Sequence, residues 1–237
     1  MRIAVVVAIA GAFTGTANAG LISQTVPPAF EDTAGPNVFL GPMTIGPRTY
    51  QLLVHESLLT DLVGLDLTGI SWRLPTSATV DWPAQDIAYA NYDIRLSESV
   101  APADRSLTFA DNVVGAQSLV RSGGLAVSAG AFTSGDNPNA FAPSIGFDSN
   151  YLYSGGNLLV EIRHDGNGFG TRSVDAIGTS PATGYGSLFS AAWSSSNTET
   201  SGLQGNFTIF EFTAIPAPGA AAIFGFAALC ACRRRRS

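Results

Sequence analysis

Apolar and polar side chains alternate along much of this chain with a period of two, the repeat of strands that keep one face in a core. The longest such run is Ile87–Leu96. There Ala88, Ala90, Tyr92, Ile94 and Leu96 share one side, and Tyr89, Asn91, Asp93 and Arg95 the other. Thr49–Glu56 repeats the pattern through Tyr50, Leu52 and Val54, while Gly64–Leu74 sets Leu65, Leu67, Gly69 and Ser71 against Asp66, Thr68, Ile70 and Trp72. Between these two runs, Ser57–Val63 predicts one turn of helix. Further strands are expected at Asn112–Arg121, Leu125–Val127, Ser144–Phe147, Leu158–Arg163 and Phe207–Thr213. In Leu158–Arg163, Leu158, Val160 and Ile162 should face in, with Glu161 and Arg163 out. Five prolines between Leu21 and Pro47 remove ladder donors, so this stretch reads as an irregular arm with one edge strand near Val38–Leu40.

Turn signals such as Ser122-Gly123-Gly124, Ser154-Gly155-Gly156-Asn157 and Asp165-Gly166-Asn167-Gly168 separate the runs. Short strands with no sustained helical period predict an all-β, single domain over 20–214, an antiparallel β-sandwich of the jelly-roll kind. Composition adds a charge asymmetry. All 12 basic residues are arginine. With Arg2 and Arg233–Arg236 set aside, 7 remain against 18 acids, a balance of −11 where the whole chain carries −6. An acidic body argues against nucleic acid as a partner, which needs clustered Arg or Lys. It suits a protein kept soluble outside the cell. The cysteines, Cys230 and Cys232, both lie near the end, so no disulfide framework is expected in the body.

Candidate chemistry is sparse. His55 and His164 are the two histidines, and neither has a second ligand at zinc spacing. A Ser-His-Asp triad assembled from distant positions stays open. Asp81, Asp86, Asp93, Glu161 and Asp165 are candidates for a glycosidase pair, against the plainer reading of solvated surface charge. Asp165-Gly166-Asn167 begins like a calcium loop, but Phe169 and Ala176 stand where further oxygen donors belong. Calcium as a cofactor therefore needs an irregular site, with Asp165 and Asn167 joined by Asp175 or Asp148. The alternative is a simple turn. Aromatic rings stack on sugars, and Trp82, in Asp81-Trp82-Pro83, and Tyr89 are the candidates for such a platform; Trp72 and Trp193 are expected in the core. Asn206-Phe207-Thr208 matches a glycosylation sequon.

The two ends carry the clearest signals. Met1-Arg2, the apolar run Ile3–Phe13 and Ala17-Asn18-Ala19 form the pattern of a secretory signal peptide over 1–19. The export translocon is then a partner, with cleavage after Ala19. At the other end, Pro216-Ala217-Pro218-Gly219 leads into an apolar stretch to Cys232, closed by Arg233, Arg234, Arg235 and Arg236. As a helix of about 16 residues this stretch spans roughly 24 Å, short of a ~30 Å hydrocarbon core. Snorkelling arginines and local thinning close such a gap, and the positive-inside rule places the arginines in the cytoplasm. The tail over 215–237 resembles the PEP-CTERM sorting signal, a Pro-containing tripeptide, a short transmembrane helix and an Arg cluster, with Ala217 where that family usually has Glu. Phrases of the body, among them Asn91-Tyr92-Asp93-Ile94-Arg95-Leu96-Ser97 and Gly205-Asn206-Phe207, are similar to domains that precede such tails. The resemblance implies transient membrane insertion, processing near Pro216–Gly219 by an exosortase-like membrane protease or transpeptidase, and delivery to the cell surface or matrix. The expected product is a non-enzymatic protein of the exopolysaccharide layer. A carbohydrate-binding sandwich is the alternative, and a hydrolase the third reading.

Overall fold

The computed structural model of the protein describes residues 20–217. The chain begins with β1 (Ile22–Val26), β2 (Asn37–Phe39), β3 (Arg48–Val54), β4 (Leu65–Trp72), β5 (Ile87–Tyr89) and β6 (Tyr92–Ser99). Next come β7 (Val113–Arg121), β8 (Leu125–Val127), β9 (Ile145–Tyr153), β10 (Leu158–His164) and β11 (Val174–Ile177). It closes with β12 (Phe189–Ser194), β13 (Leu203–Gln204), β14 (Phe207–Thr208) and β15 (Phe210–Pro216). All strand ladders are antiparallel, and the helical turns among the described residues are short 3-10 turns. No helix among the described residues is long and apolar enough to cross a membrane. The expected tail helix, Gly219–Cys232, and the expected signal peptide, 1–19, lie outside the described residues.

A six-stranded sheet in the order β13-β12-β3-β10-β6-β7 packs on a four-stranded sheet in the order β1-β15-β4-β9. Tyr50, Leu52, Val54, Ile94, Leu96, Val160 and Ile162 from the first join Val26, Leu67, Ile70, Trp72, Phe210 and Phe212 from the second in one apolar core. That is a sandwich-like arrangement, with side chains of two inner faces interdigitating. Two smaller sheets, β14-β11-β2 and β5-β8, complete the set.

Several expectations need correction. The run Ile87–Leu96 is two strands, because β5 leaves to pair with β8 while β6 pairs with β10. The break at Ala90–Asn91 shifts the phase, so Tyr89 is buried along with Tyr92. It is fixed by Asp165, whose Oδ1 accepts from the Asn91 N–H at 3.1 Å. In β4 the phase changes as well. Thr213 pairs with Gly69 and Ala214 with Leu67, which leaves Thr68 as a bulge. Leu67 before it and Ile70 and Trp72 after it thus all reach the core. The Pro-rich arm is not wholly irregular, since β1 pairs along β15 from Ile22↔Ala214 to Val26↔Phe210. Finally, Glu161 does not face solvent. It is 4% exposed, because the turn Phe109–Asn112 and the segment around Asn197 lie over the outer face of β3 and β10.

Candidate functional site

On β3, β10 and β6 the outer face carries polar residues at alternate positions. Glu161 stands between Gln51 on β3 and Arg95 on β6, and Arg163 stands opposite Asp93. The Glu161 carboxylate accepts from Gln51 Nε2 at 2.7 Å and from Arg163 Nε at 2.9 Å, with Arg95 Nη1 at 3.7 Å. Asp93 accepts from Arg95 at 3.4 Å. Gln51 is itself held on both sides. Its Nε2 donates to Phe109 O at 3.1 Å, and its Oε1 accepts from Asn112 Nδ2 at 2.8 Å. The strip therefore alternates in charge and is anchored by buried amides.

Beside it lies a groove of about 430 Å³ lined by Phe109, Val113, Gln117, Glu161, Arg163 and Thr200. Hydrogen-bonding capacity is left over on this side of the sheet. Asp93 Oδ1, Ser97 Oγ and Gln117 Nε2 are buried without partners. Each such group costs about 1–3 kcal/mol relative to a satisfied one. The groove itself presents Gln117, Glu161, Arg163 and Thr200, donors and acceptors that suit a ligand rich in hydroxyls.

Of the residues singled out in the sequence, Asp93 and Glu161 belong to this strip, and the others fall elsewhere. Tyr89 is 1% exposed; its hydroxyl accepts from Asn167 Nδ2 at 3.0 Å and lies 3.5 Å from Met43 Sδ. Burial pushes this phenol up to about 12. Trp82 is partly buried and meets Phe132 edge-on at 5.3 Å. The two rings thus form no joint platform. Trp72 is fully buried, whereas Trp193 is partly covered by the Arg48 guanidinium at 4.4 Å.

Nor do the calcium candidates converge. Asn167 Oδ1 accepts from the N–H groups of Phe169 and Gly170, so it pins its own loop. Asp165 holds Asn91 and Asp148 accepts from Ser122 N. Asp175 is wholly buried, accepting from Arg73 Nε at 2.9 Å and from Gly35 N at 2.9 and 3.1 Å. Among the described residues no three His, Cys, Asp or Glu side chains group as metal ligands would. Asp81 and Asp86 accept from the N–H groups of Ser134 and Ala129 in turns.

His55 Nδ1 accepts from the N–H of Ser57 two residues on. His164 lies in the core, with Nδ1 accepting from Gly166 N at 3.1 Å, which leaves the proton on Nε2. Burial, and then the Arg48 charge, lower its pKa to about 4. Of the processing residues, Pro216 and Ala217 are described. Pro216 ends β15 opposite Leu65, two residues beyond the expected edge of the domain. Ala17, Ala19, Pro218, Gly219 and Arg233–Arg236 lie outside the described residues.

The Gln51–Glu161–Asn112 network and the Arg73–Asp175 pair went unread in the sequence. Their one signal is a polar residue inside an apolar run, Gln51 in Tyr-Gln-Leu-Leu and Asp175 in Val-Asp-Ala-Ile. Compared with known proteins, the chain matches no family model, no curated protein and no solved structure.

Proposed function

We propose that the chain is an exported, non-enzymatic protein of the cell surface or extracellular matrix, sorted by its carboxyl-terminal segment. A signal peptide ahead of Gly20 and a short tail helix bounded by Arg233–Arg236 supply the addresses. An exosortase-like enzyme acts near Pro216–Gly219, and the delivered body resides in the exopolysaccharide layer. The observation that carries this reading is the junction. The last core strand, β15, runs to Pro216, so the Pro-Ala-Pro motif begins where the sandwich ends. Cleavage beyond Pro216 leaves every core strand whole. Pulse-labelling in a host with and without its exosortase tests this. Loss of a faster-migrating mature form on removal of that enzyme is expected, and identical processing without it contradicts the proposal.

The groove beside Glu161 favours a second reading, carbohydrate binding by the sandwich. Gln117 and Thr200 line the groove beside the Glu161–Arg163 pair, so polar groups of both kinds stand along it. Glycan-array binding that falls about tenfold in Gln117→Ala, with Trp82→Ala unchanged, supports this reading and places it on the sheet face. An array without binding removes it.

A further inference from the structure

A second cavity, of about 390 Å³, opens where β7 and β9, the adjoining edges of the two large sheets, approach. Its apolar walls include Trp72, Val127, Phe132 and Ile145, and its polar ones Arg121 and Asp148. Protein interiors are close-packed, and this volume lies in the range of about 300–1,000 Å³ that encloses small ligands.

The walls are fixed in advance. Arg121 donates to Tyr92 O, to Gly123 O at 3.2 Å and to Gly124 O at 2.6 Å, which ties the end of β7 to the neighbouring turn. Phe132 and Trp82 exchange paired main-chain bonds of 2.8 and 2.9 Å. The Trp72 indole donates to Thr208 Oγ1 at 3.2 Å. Rigid walls of this kind favour binding, because little ordering remains to be done when a ligand arrives.

We propose that this cavity is a binding site for a small, uncharged, largely apolar molecule. The apolar walls take its body. The charge preference follows from the polar walls. Arg121 directs three of its five N–H groups to main-chain carbonyls, and Asp148 sets a negative charge against its positive one, so the walls carry no net charge to hold an anion. This site is separate from the sheet face and does not depend on the export reading.

The test uses the purified chain in detergent-free buffer with N-phenyl-1-naphthylamine, an uncharged fluorescent probe, and 1-anilinonaphthalene-8-sulfonate, its anionic relative. The uncharged probe should bind saturably at one site, and the sulfonate about tenfold more weakly or worse. Ala131→Phe, which fills the cavity, should weaken the uncharged probe by about tenfold or more. Ala126→Trp, at an exposed lining position, should do the same if Ala131→Phe fails to fold. Absence of saturable binding, equal binding of the two probes, or binding unchanged in a folded filled variant overturns the proposal.

Discussion

His164 lies in the core with its ring parallel to that of Tyr92 at 5.2 Å and edge-on to Tyr89 at 5.0 Å. Its folded pKa of about 4 lies below the ordinary 6.5. The unfolded chain therefore binds more protons between those values. The stability gained from keeping this ring neutral is complete above about pH 6.5 and is lost as the pH falls toward 4, an effect of about 3 kcal/mol. Urea unfolding of the parent and of His164→Phe at pH 7, 5.5 and 4 should show that much less acid destabilisation in the variant. Parallel pH profiles would contradict the assignment. Arg73 is equally confined, donating to Asp175, to Phe30 O at 2.8 Å, to Thr33 O at 2.7 Å and to Glu31 O at 3.2 Å. It fastens the Pro-rich arm to the body. Arg73→Met leaves Asp175 buried and unpaired, and should cost about 3–5 kcal/mol in chemical denaturation. Arg73→Met with Asp175→Leu should recover much of that loss. Neither residue announced its burial in the sequence, since a charge in an apolar run reads the same whether it is paired inside or turned to water.

Strands whose residues alternate between polar and apolar were legible as elements, even where a cover buries the polar face, as over β3 and β10. β3, β8 and β10 lie within two residues of their expected runs. β11 and β12 were not legible, because the four residues Val-Asp-Ala-Ile are too few to show a period and Ser190-Ala191-Ala192 sets two small residues side by side with no contrast between faces. Phase was the weaker inference even where the strand was visible. The bulge at Thr68 and the break at Ala90–Asn91 each insert one odd step, and such a step moves every later side chain to the other face. That is why Tyr89, expected at the surface, is in the core. The bulge also brings Gly69 against its neighbours. A Cβ there would meet Ser144 Oγ, and Thr213 Oγ1 at 2.9 Å. Gly69→Val should therefore destabilise the sandwich by about 1–3 kcal/mol, read as a lower urea midpoint. The cover over the outer sheet face is a further separable element. Asn112→Ala removes the bonds from Asn112 to Gln51 and to Ser106 O, and should cost about 1–3 kcal/mol while the inner core stays intact.

At the scale of the molecule, the proposed function sets a terminal address on either side of an acidic all-β body. The body does not need the tail for its core, because β15 ends at Pro216 after placing Phe210, Phe212 and Ala214 inside. A chain stopped after Ala217 should match the parent body in urea midpoint, whereas one stopped after Ile209 loses the central partner of β1 and β4 and should not fold. The class of fold was readable from the period of two and the turn residues. The sheet face with Glu161, Asp93 and Gln117 was not, because it depends on which strands become neighbours. The central claim, that this body is delivered by export and carboxyl-terminal processing, is tested most directly by intact mass spectrometry of the protein recovered from its native host. The account predicts a chain beginning at Gly20 and ending within Pro216–Gly219. A recovered chain that still ends in Ser237 would contradict it.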